Sequence, residues 1–363
     1  MTIKKITLVV GARPNFMKIA PIIREIKKSK DCLSYRLVHT GQHKNKEMSK
    51  VFFQDLGIPD PDVYLEASGI THAEQVAATM VEFEKDCLTY QPDMVLVVGD
   101  VNSTLACAIA AKKLNIKLAH VEAGLRSGDR DMPEEINRLI VDSISDLLFA
   151  TEPSGVENLL REGHSAKSIH YVGNVMIDNL FYQNKKLNMD INHKFSSTLL
   201  KERLKKYAVL TLHRPSNVDN KKTLEGIVTA INKISDDLPI IFPVHPRTMS
   251  SIKMFNIKLG VNIHIVKPMP YLEFLNIWKN SEVVLTDSGG LQEETSALGV
   301  NCITIRNNTE RPITIQEGTN VLSGVNCIDI INAFQRCGKH KIKSIKYWDG
   351  ASAVRIINIL KKE

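Results

Sequence analysis

Apolar runs of strand length recur along the chain and set its organisation. ITLVV (6–10), YRLVH (35–39), MVLVV (94–98), KLAHV (117–121) and DLLFA (146–150) come first, separated by amphipathic helical patterns such as FMKIAPIIREIKK (16–28) and STLACAIAAKKL (103–114). Continuous Val/Leu/Ile runs belong to strands buried on both faces, so the pattern predicts a parallel sheet covered by helices on either side. The rhythm pauses in the polar, Lys-rich stretch 185–206. It restarts with YAVLTLH (207–213), PIIFPVH (239–245), IHIVK (263–267), EVVLTD (282–287) and CITIR (302–306). YWDGASAVRIINILKK (347–362) predicts a terminal helix with an apolar stripe. The chain therefore reads as α/β, with one domain over 1–185, a linker region at 186–205, a second domain over 206–345 and a terminal helix within 346–363.

Composition narrows the function without naming it. The 363 residues are 43% hydrophobic and 24% charged, which fits a globular core and excludes a disordered chain. The formal net charge of +7 is spread along the chain, so no nucleic-acid-binding arm is expected, and a small anionic ligand suits the balance. The six cysteines form no CxxC pair and read as reduced thiols of a cytoplasmic protein. The apolar run after Lys4 and Lys5 is too short for a signal peptide or a membrane span.

In doubly wound sheets ligands bind beyond the carboxyl ends of the strands, and the chemically interesting residues fall there in both halves. VVGARPNFMKIAP places Arg13 and Lys18 around a glycine turn and a helix N-terminus, a pattern suited to an anion. Only Gly11 is present, so a dinucleotide GxGxxG fingerprint is absent. Asp100 sits just past a buried strand, where it either caps the next helix or acts chemically. Glu122 closes the strand LAHVE, and a carboxylate there needs a partner. Glu134 and Glu135 follow Pro133 at a helix start, as the macrodipole favours. In the second half His213 and Arg214, and then His245 and Arg247, directly follow strands. VLTDSGGLQEETSALG offers Ser288, Gly289 and Gly290 as a phosphate-binding turn, with Glu294 one helical turn on as an acceptor for two ribose hydroxyls. HTGQH (39–43) has a metal-like spacing but no third ligand nearby, and HExxH, GxSxG and Walker A motifs are absent, so no metal is expected.

Taken together, GARPNFMK, GDVNST, HVEAGLRSGDRDMPEEINR, LHRPSNVD, PVHPRT, TDSGGLQEE and NNTERP resemble the non-hydrolysing UDP-N-acetylglucosamine 2-epimerases over nearly the whole chain. The resemblance implies a GT-B arrangement of two Rossmann-like parallel-sheet domains with an interdomain active-site cleft, and a homodimer. It implies interconversion of UDP-GlcNAc and UDP-ManNAc through UDP elimination to a 2-acetamidoglucal and re-addition, without cofactor, supplying surface polysaccharide. By resemblance Asp100, Glu122 and Glu134 lie near the sugar, and His213, Arg13 and Lys18 at the diphosphate. Ser288, Gly289 and Gly290 bind phosphate, Glu294 binds ribose, Phe274 and Met269 lie at the base, and Arg311 contacts sugar or phosphate. Arg126 and Arg138 are expected to steady Glu122 and Glu134, with Arg138 also counted among the substrate-binding residues, leaving Asp129, Arg130, Asp131 and Glu135 as solvated charge on a mobile middle. TGQHKNKEMSK (40–50) and Pro215 depart from the variants of the family that are activated allosterically. Relatives acting on UDP-diacetamido uronic acids tend to lose the E-R-P of NNTERP and the second acid of QEE; both are intact here, which favours UDP-GlcNAc. A GT-B glycosyltransferase is the alternative within the fold. A hydrolysing epimerase and a non-catalytic nucleotide-sugar sensor complete the alternatives.

Overall fold

The apolar runs form two separate parallel sheets in a computed structural model that describes residues 3–41, 53, 56–67, 69–189, 195–338 and 344–363, with the backbone alone at Arg13. The stretch 42–50, which carries most of TGQHKNKEMSK and the second histidine of HTGQH, lies outside the described residues. The chain divides into one unit of Met1–Tyr182 with Lys346–Glu363, and a second of Gln183–Ile345.

In the first unit the strands are β1 (Lys4–Val10), β2 (Leu33–His39), β3 (Val63–Tyr64), β4 (Met94–Val98), β5 (Lys117–Ala123), β6 (Leu147–Ala150) and β7 (Ile169–Tyr171). They pair in parallel in the order β3-β2-β1-β4-β5-β6-β7. All five residues of β4 are buried, as a central strand covered on both faces demands. The helix Asn102–Lys113 is buried on most of its surface, and Ala106, Ala108, Ala110 and Ala111 let the helices His72–Tyr90 and Pro133–Ile144 pack closely on either side of it. The helix His72–Tyr90 begins with a capping box: Glu74 N–H donates to Thr71 Oγ1, and Thr71 N–H donates to Glu74 Oε2.

The helix Ser352–Leu360 packs its buried Ile356, Ile357 and Leu360 into this unit, against the helix Arg13–Lys27. No local side chain caps its N-terminus; Asp178 supplies the cap instead, accepting from Ser352 N–H at 3.1 Å and Ala353 N–H at 2.7 Å. Burial pushes the Asp178 carboxyl up to about 6 against the pull of those two donors. Asp178→Ala is expected to loosen this helix by about 1–2 kcal/mol. Its amides would then exchange with deuterium roughly tenfold faster while those of β4 keep their protection; equal rates in wild type and variant would show that packing alone holds the helix.

The second unit has β8 (Ala208–Thr211), β9 (Ile240–Pro243), β10 (Ile263–Val266), β11 (Val283–Thr286), β12 (Cys302–Thr304) and β13 (Asn320–Leu322), parallel in the order β10-β9-β8-β11-β12-β13. Leu210, Leu224, Ile227, Ile231, Phe242 and Leu285 build its core. Within the stretch read as a linker, the helix Thr198–Leu204 is anchored to this unit by Ser197 N–H on Glu273 Oε1 at 2.9 Å and by Lys201 on Asn276 and Asn280.

The chain is thus α/β with two Rossmann-like parallel sheets, and every strand read from an apolar run is present. The sequence reading missed β3, β7 and β13, edge strands of two or three residues that carry no recognisable run. No helix among the described residues is long and apolar enough to cross a membrane.

Candidate active site

Each sheet reverses its strand order beside its first strand: β1 lies between β2 and β4, and β8 between β9 and β11. Loops diverge at such switch points and leave room for a ligand. Gly11 follows β1, and a Cβ there would stand 2.1 Å from Ser103 Oγ and 2.5 Å from Thr40 Oγ1, so only glycine lets this turn nest against its neighbours. Asn15 holds the turn, accepting from Ala12 N–H at 3.0 Å and donating to Val98 O at 2.8 Å. Arg13 opens the helix that follows. Lys18, one turn on and buried, forms an ion pair with Glu122.

Glu122 is held in an uncommon backbone conformation. Its φ is +78°, at an irregularity in the β5–β6 register between Val121 and Ala123. A non-glycine residue in such a region costs on the order of 1–3 kcal/mol and persists only where its surroundings impose it; a bulge of this kind re-aims a side chain. Opposite, Gly99 with φ +67° leaves space for the pair, since a Cβ there would meet Lys18 Nζ at 2.7 Å and Glu122 Oε2 at 3.3 Å. Asp100 accepts from Arg138 Nη2 at 2.6 Å, and its carbonyl accepts from Asn137 at 2.7 Å. Glu134 is half-buried in the first turn of the helix Pro133–Ile144.

Three expectations for this loop need correction. Arg138 does not steady Glu134: its two arms go to Asp100 and, at 2.6 Å, to Glu135. Arg126 does not steady Glu122: it binds Asp142 at 2.7 Å and Glu162 at 2.6 and 2.8 Å. Glu135 is not solvated but 2% exposed, accepting from Ser127 N–H at 2.9 Å and Gly128 N–H at 3.0 Å. Burial works against its charge, yet those donors and Arg138 outweigh burial and hold the carboxyl below its usual range. The loop middle is therefore tied back to the helix start.

In the second unit His213 follows β8 and Asp287 follows β11. Asp287 is fully buried, with Oδ1 2.9 Å from His213 Nδ1; Asp287 also accepts from His213 N–H at 3.0 Å, Arg214 N–H at 2.9 Å and Asn217 Nδ2 at 3.3 Å. Burial raises its pKa, but these partners outweigh it and hold the carboxylate low. The arrangement places a proton on His213 Nδ1 and turns Nε2 away from Asp287, on a side chain that is 45% exposed. His245, by contrast, accepts from Arg247 N–H as the cap of its helix.

Ser288 stands at the N-cap position of the helix Gly289–Leu298 without a side-chain capping hydrogen bond, and the first-turn N–H groups and dipole of that helix favour an anion. Glu294 is buried one turn on and accepts from the Tyr271 hydroxyl at 2.7 Å. Burial, opposed by that hydrogen bond and reinforced by Glu293, pushes Glu294 up to about 7. Arg311 Nε lies 2.7 Å from Glu293 Oε1. Its neighbour Glu310 pairs with Arg306 at 2.9 Å, close without hydrogen-bond alignment, and with Arg214 at 3.6 Å. Phe274 is half-buried on the helix Tyr271–Trp278, and Met269 is half-buried in the loop before it.

Sequence reasoning gave no role to Asp287, Tyr271, His120 or Asp142. Asp287 carried a usable signal, an acid at a buried strand end; the others become visible only through their partners.

The family described as UDP-N-acetylglucosamine 2-epimerase matches residues 24–361. The UDP-N-acetylglucosamine 2-epimerase of Methanocaldococcus jannaschii is 43% identical over 366 residues, with 98% of each chain covered. The UDP-2,3-diacetamido-2,3-dideoxy-D-glucuronate 2-epimerase of Pseudomonas aeruginosa is 40% identical over 323 residues, 88% of each. The solved structure of the M. jannaschii UDP-GlcNAc 2-epimerase in complex with UDP-GlcNAc and UDP matches with a TM-score of 0.89 at 42% identity, covering 99% of this chain and 100% of that one. A match of this length takes in the carboxylate turns and the S-G-G helix alike: the chain belongs to the UDP-N-acetylglucosamine 2-epimerase family, and it is an isomerase.

Proposed function

We infer that this enzyme interconverts UDP-GlcNAc and UDP-ManNAc by eliminating and re-adding UDP. A carboxylate takes the C2 proton, the C2–H electron pair becomes the C1–C2 double bond, and the C1–O bond to UDP breaks. C2 then takes a proton on the opposite face as a UDP oxygen bonds again to C1. One observation carries the reading: Asp100 and Glu122 stand at the ends of neighbouring strands of one sheet, each fixed by a separate cation, Arg138 and Lys18, and Glu134 opens the helix that follows them. Two-faced proton transfer needs carboxylates placed independently of one another.

In this reading Asp100, Glu122 and Glu134 serve the sugar, with Arg138 acting through Asp100. Arg13, Lys18, His213 and the Ser288–Gly290 turn stabilise the departing diphosphate, where fixed donors contribute most. Glu294 takes the ribose hydroxyls, Met269 and Phe274 the uracil, and Arg311 a sugar or phosphate oxygen. The product supplies surface polysaccharide from the cytoplasm, and the enzyme works as a homodimer.

Proton NMR of UDP-GlcNAc with the enzyme in D2O tests the reaction. The expected result is deuterium at C2 and a mixture of both UDP sugars; free ManNAc would indicate hydrolysis, and bound but unchanged substrate would sink the reading. The relative acting on a UDP-diacetamido glucuronate supports a second substrate reading. The same experiment with that sugar separates the two, and preferential exchange there would reassign the substrate.

A further inference from the structure

His120 lies in β5, two residues before Glu122, and is fully buried. Its Nδ1 is 2.6 Å from Asp142 Oδ1, and its Nε2 is 2.9 Å from Gly99 O. Gly99 O can only accept, so Nε2 donates to it, while Nδ1 and the Asp142 carboxyl share the other hydrogen bond. Asp142, equally buried, commits its other oxygen to Gly124 N–H at 3.0 Å and to Arg126 Nη2 at 2.7 Å. Burial works against the Asp142 charge, yet His120, Arg126 and the Gly124 N–H outweigh it and hold the carboxyl below its usual range.

This chain of contacts joins two turns. Gly99 immediately precedes Asp100, and Gly124 follows Glu122 by two residues, so His120 and Asp142 clamp the backbone on either side of the carboxylates that end β4 and β5. A clamp at these points explains how Glu122 is kept at φ +78°. Neither side chain reaches the surface, so neither touches substrate.

We propose that His120 and Asp142 are positioning residues for proton transfer at C2, setting the backbone from which Asp100 and Glu122 project. The proposal rests on the epimerase reading above. Displacing a reacting group by about 1 Å costs on the order of a hundredfold in rate, so Asp142→Ala is expected to lower kcat and C2 deuterium exchange about a hundredfold. KM and UDP affinity should stay within about threefold. Asp142→Asn should restore the rate to within about tenfold, because its carbonyl can accept from Gly124 N–H while its amide donates to a singly protonated His120 that still donates to Gly99 O.

Asp142→Ser, which leaves room for a water, serves if Asp142→Ala does not fold; failure of both to fold would assign the pair to folding alone and overturn the proposal. It is equally overturned if Asp142→Ala exchanges C2 deuterium at the wild-type rate, or if the Asn variant is as impaired as the Ala variant. Absence of exchange in the wild type would instead overturn the epimerase reading.

Discussion

Glu122→Gln is expected to lower kcat by at least about 10³-fold, within the range spanned by positioned general bases, while UDP affinity stays within about threefold. The amide keeps the size of the carboxylate but cannot take a proton. On the reading proposed above, UDP is held chiefly by the Ser288–Gly290 turn and Glu294, which belong to the other unit. Deuterium exchange at C2 measures the first quantity and titration calorimetry with UDP the second. A large loss of UDP affinity would make Glu122 a nucleotide-directed residue and remove it from the proton transfer.

The largest expected effect on stability comes from Glu310→Gln. Glu310, Arg306 and Arg311 are each 7% exposed or less, and Glu310 is the carboxylate that pairs Arg306 and Arg214. Removing one partner of a buried ion pair strands the other charge and costs about 3–5 kcal/mol. Burial works against the Glu310 charge, but Arg311, Arg306 and Arg214 outweigh burial and bring the carboxyl down to about 2. A folded value below the unfolded one means that this stabilisation is fully present above about pH 4.5 and is lost as pH falls toward 2, a change on the order of 3 kcal/mol.

The two tryptophans make the experiment specific, since Trp278 belongs to the second unit and Trp348 to the first. In a Trp348→Phe background, urea unfolding followed by Trp278 fluorescence should show an acid-sensitive midpoint that Glu310→Gln lowers at pH 7 and makes less steep below pH 4.5, the remaining slope belonging to carboxylates such as Asp287. A variant that keeps the wild-type acid profile would show that other carboxylates carry it.

The sheets were legible because a buried central strand writes itself as an unbroken apolar run. Placing Asp100, Glu122, His213 and Ser288 at strand ends was legible for the same reason, since the end of a run is visible. Their partners were not. Lys18 meets Glu122 across 104 residues because β1 and β5 flank β4, and His213 meets Asp287 across 74 because β11 lies beside β8. Such pairings follow from strand order, which apolar runs do not encode. Glu135 misled for a different reason. An acid in the first turn of a helix already satisfies the macrodipole rule, and nothing local says that its oxygens turn back to Ser127 and Gly128. Glu122 was read as needing a partner, but neither Lys18 nor its positive φ could be read from the residue type.

The helix Ser352–Leu360 gives the first unit a particular order of synthesis. Lys4 at the start of β1 donates to Leu360 O, and Asp178 caps the same helix, yet every residue of the second unit leaves the ribosome between Asp178 and Ser352. During translation the helix Arg13–Lys27 therefore waits with one face uncovered while some 160 residues are made. The seven strands of the first unit are all made before that interval, but its last helix cannot dock until the second unit has been synthesised. A nascent chain stalled within the second unit would expose that apolar face, and chaperones that bind such faces would find it there.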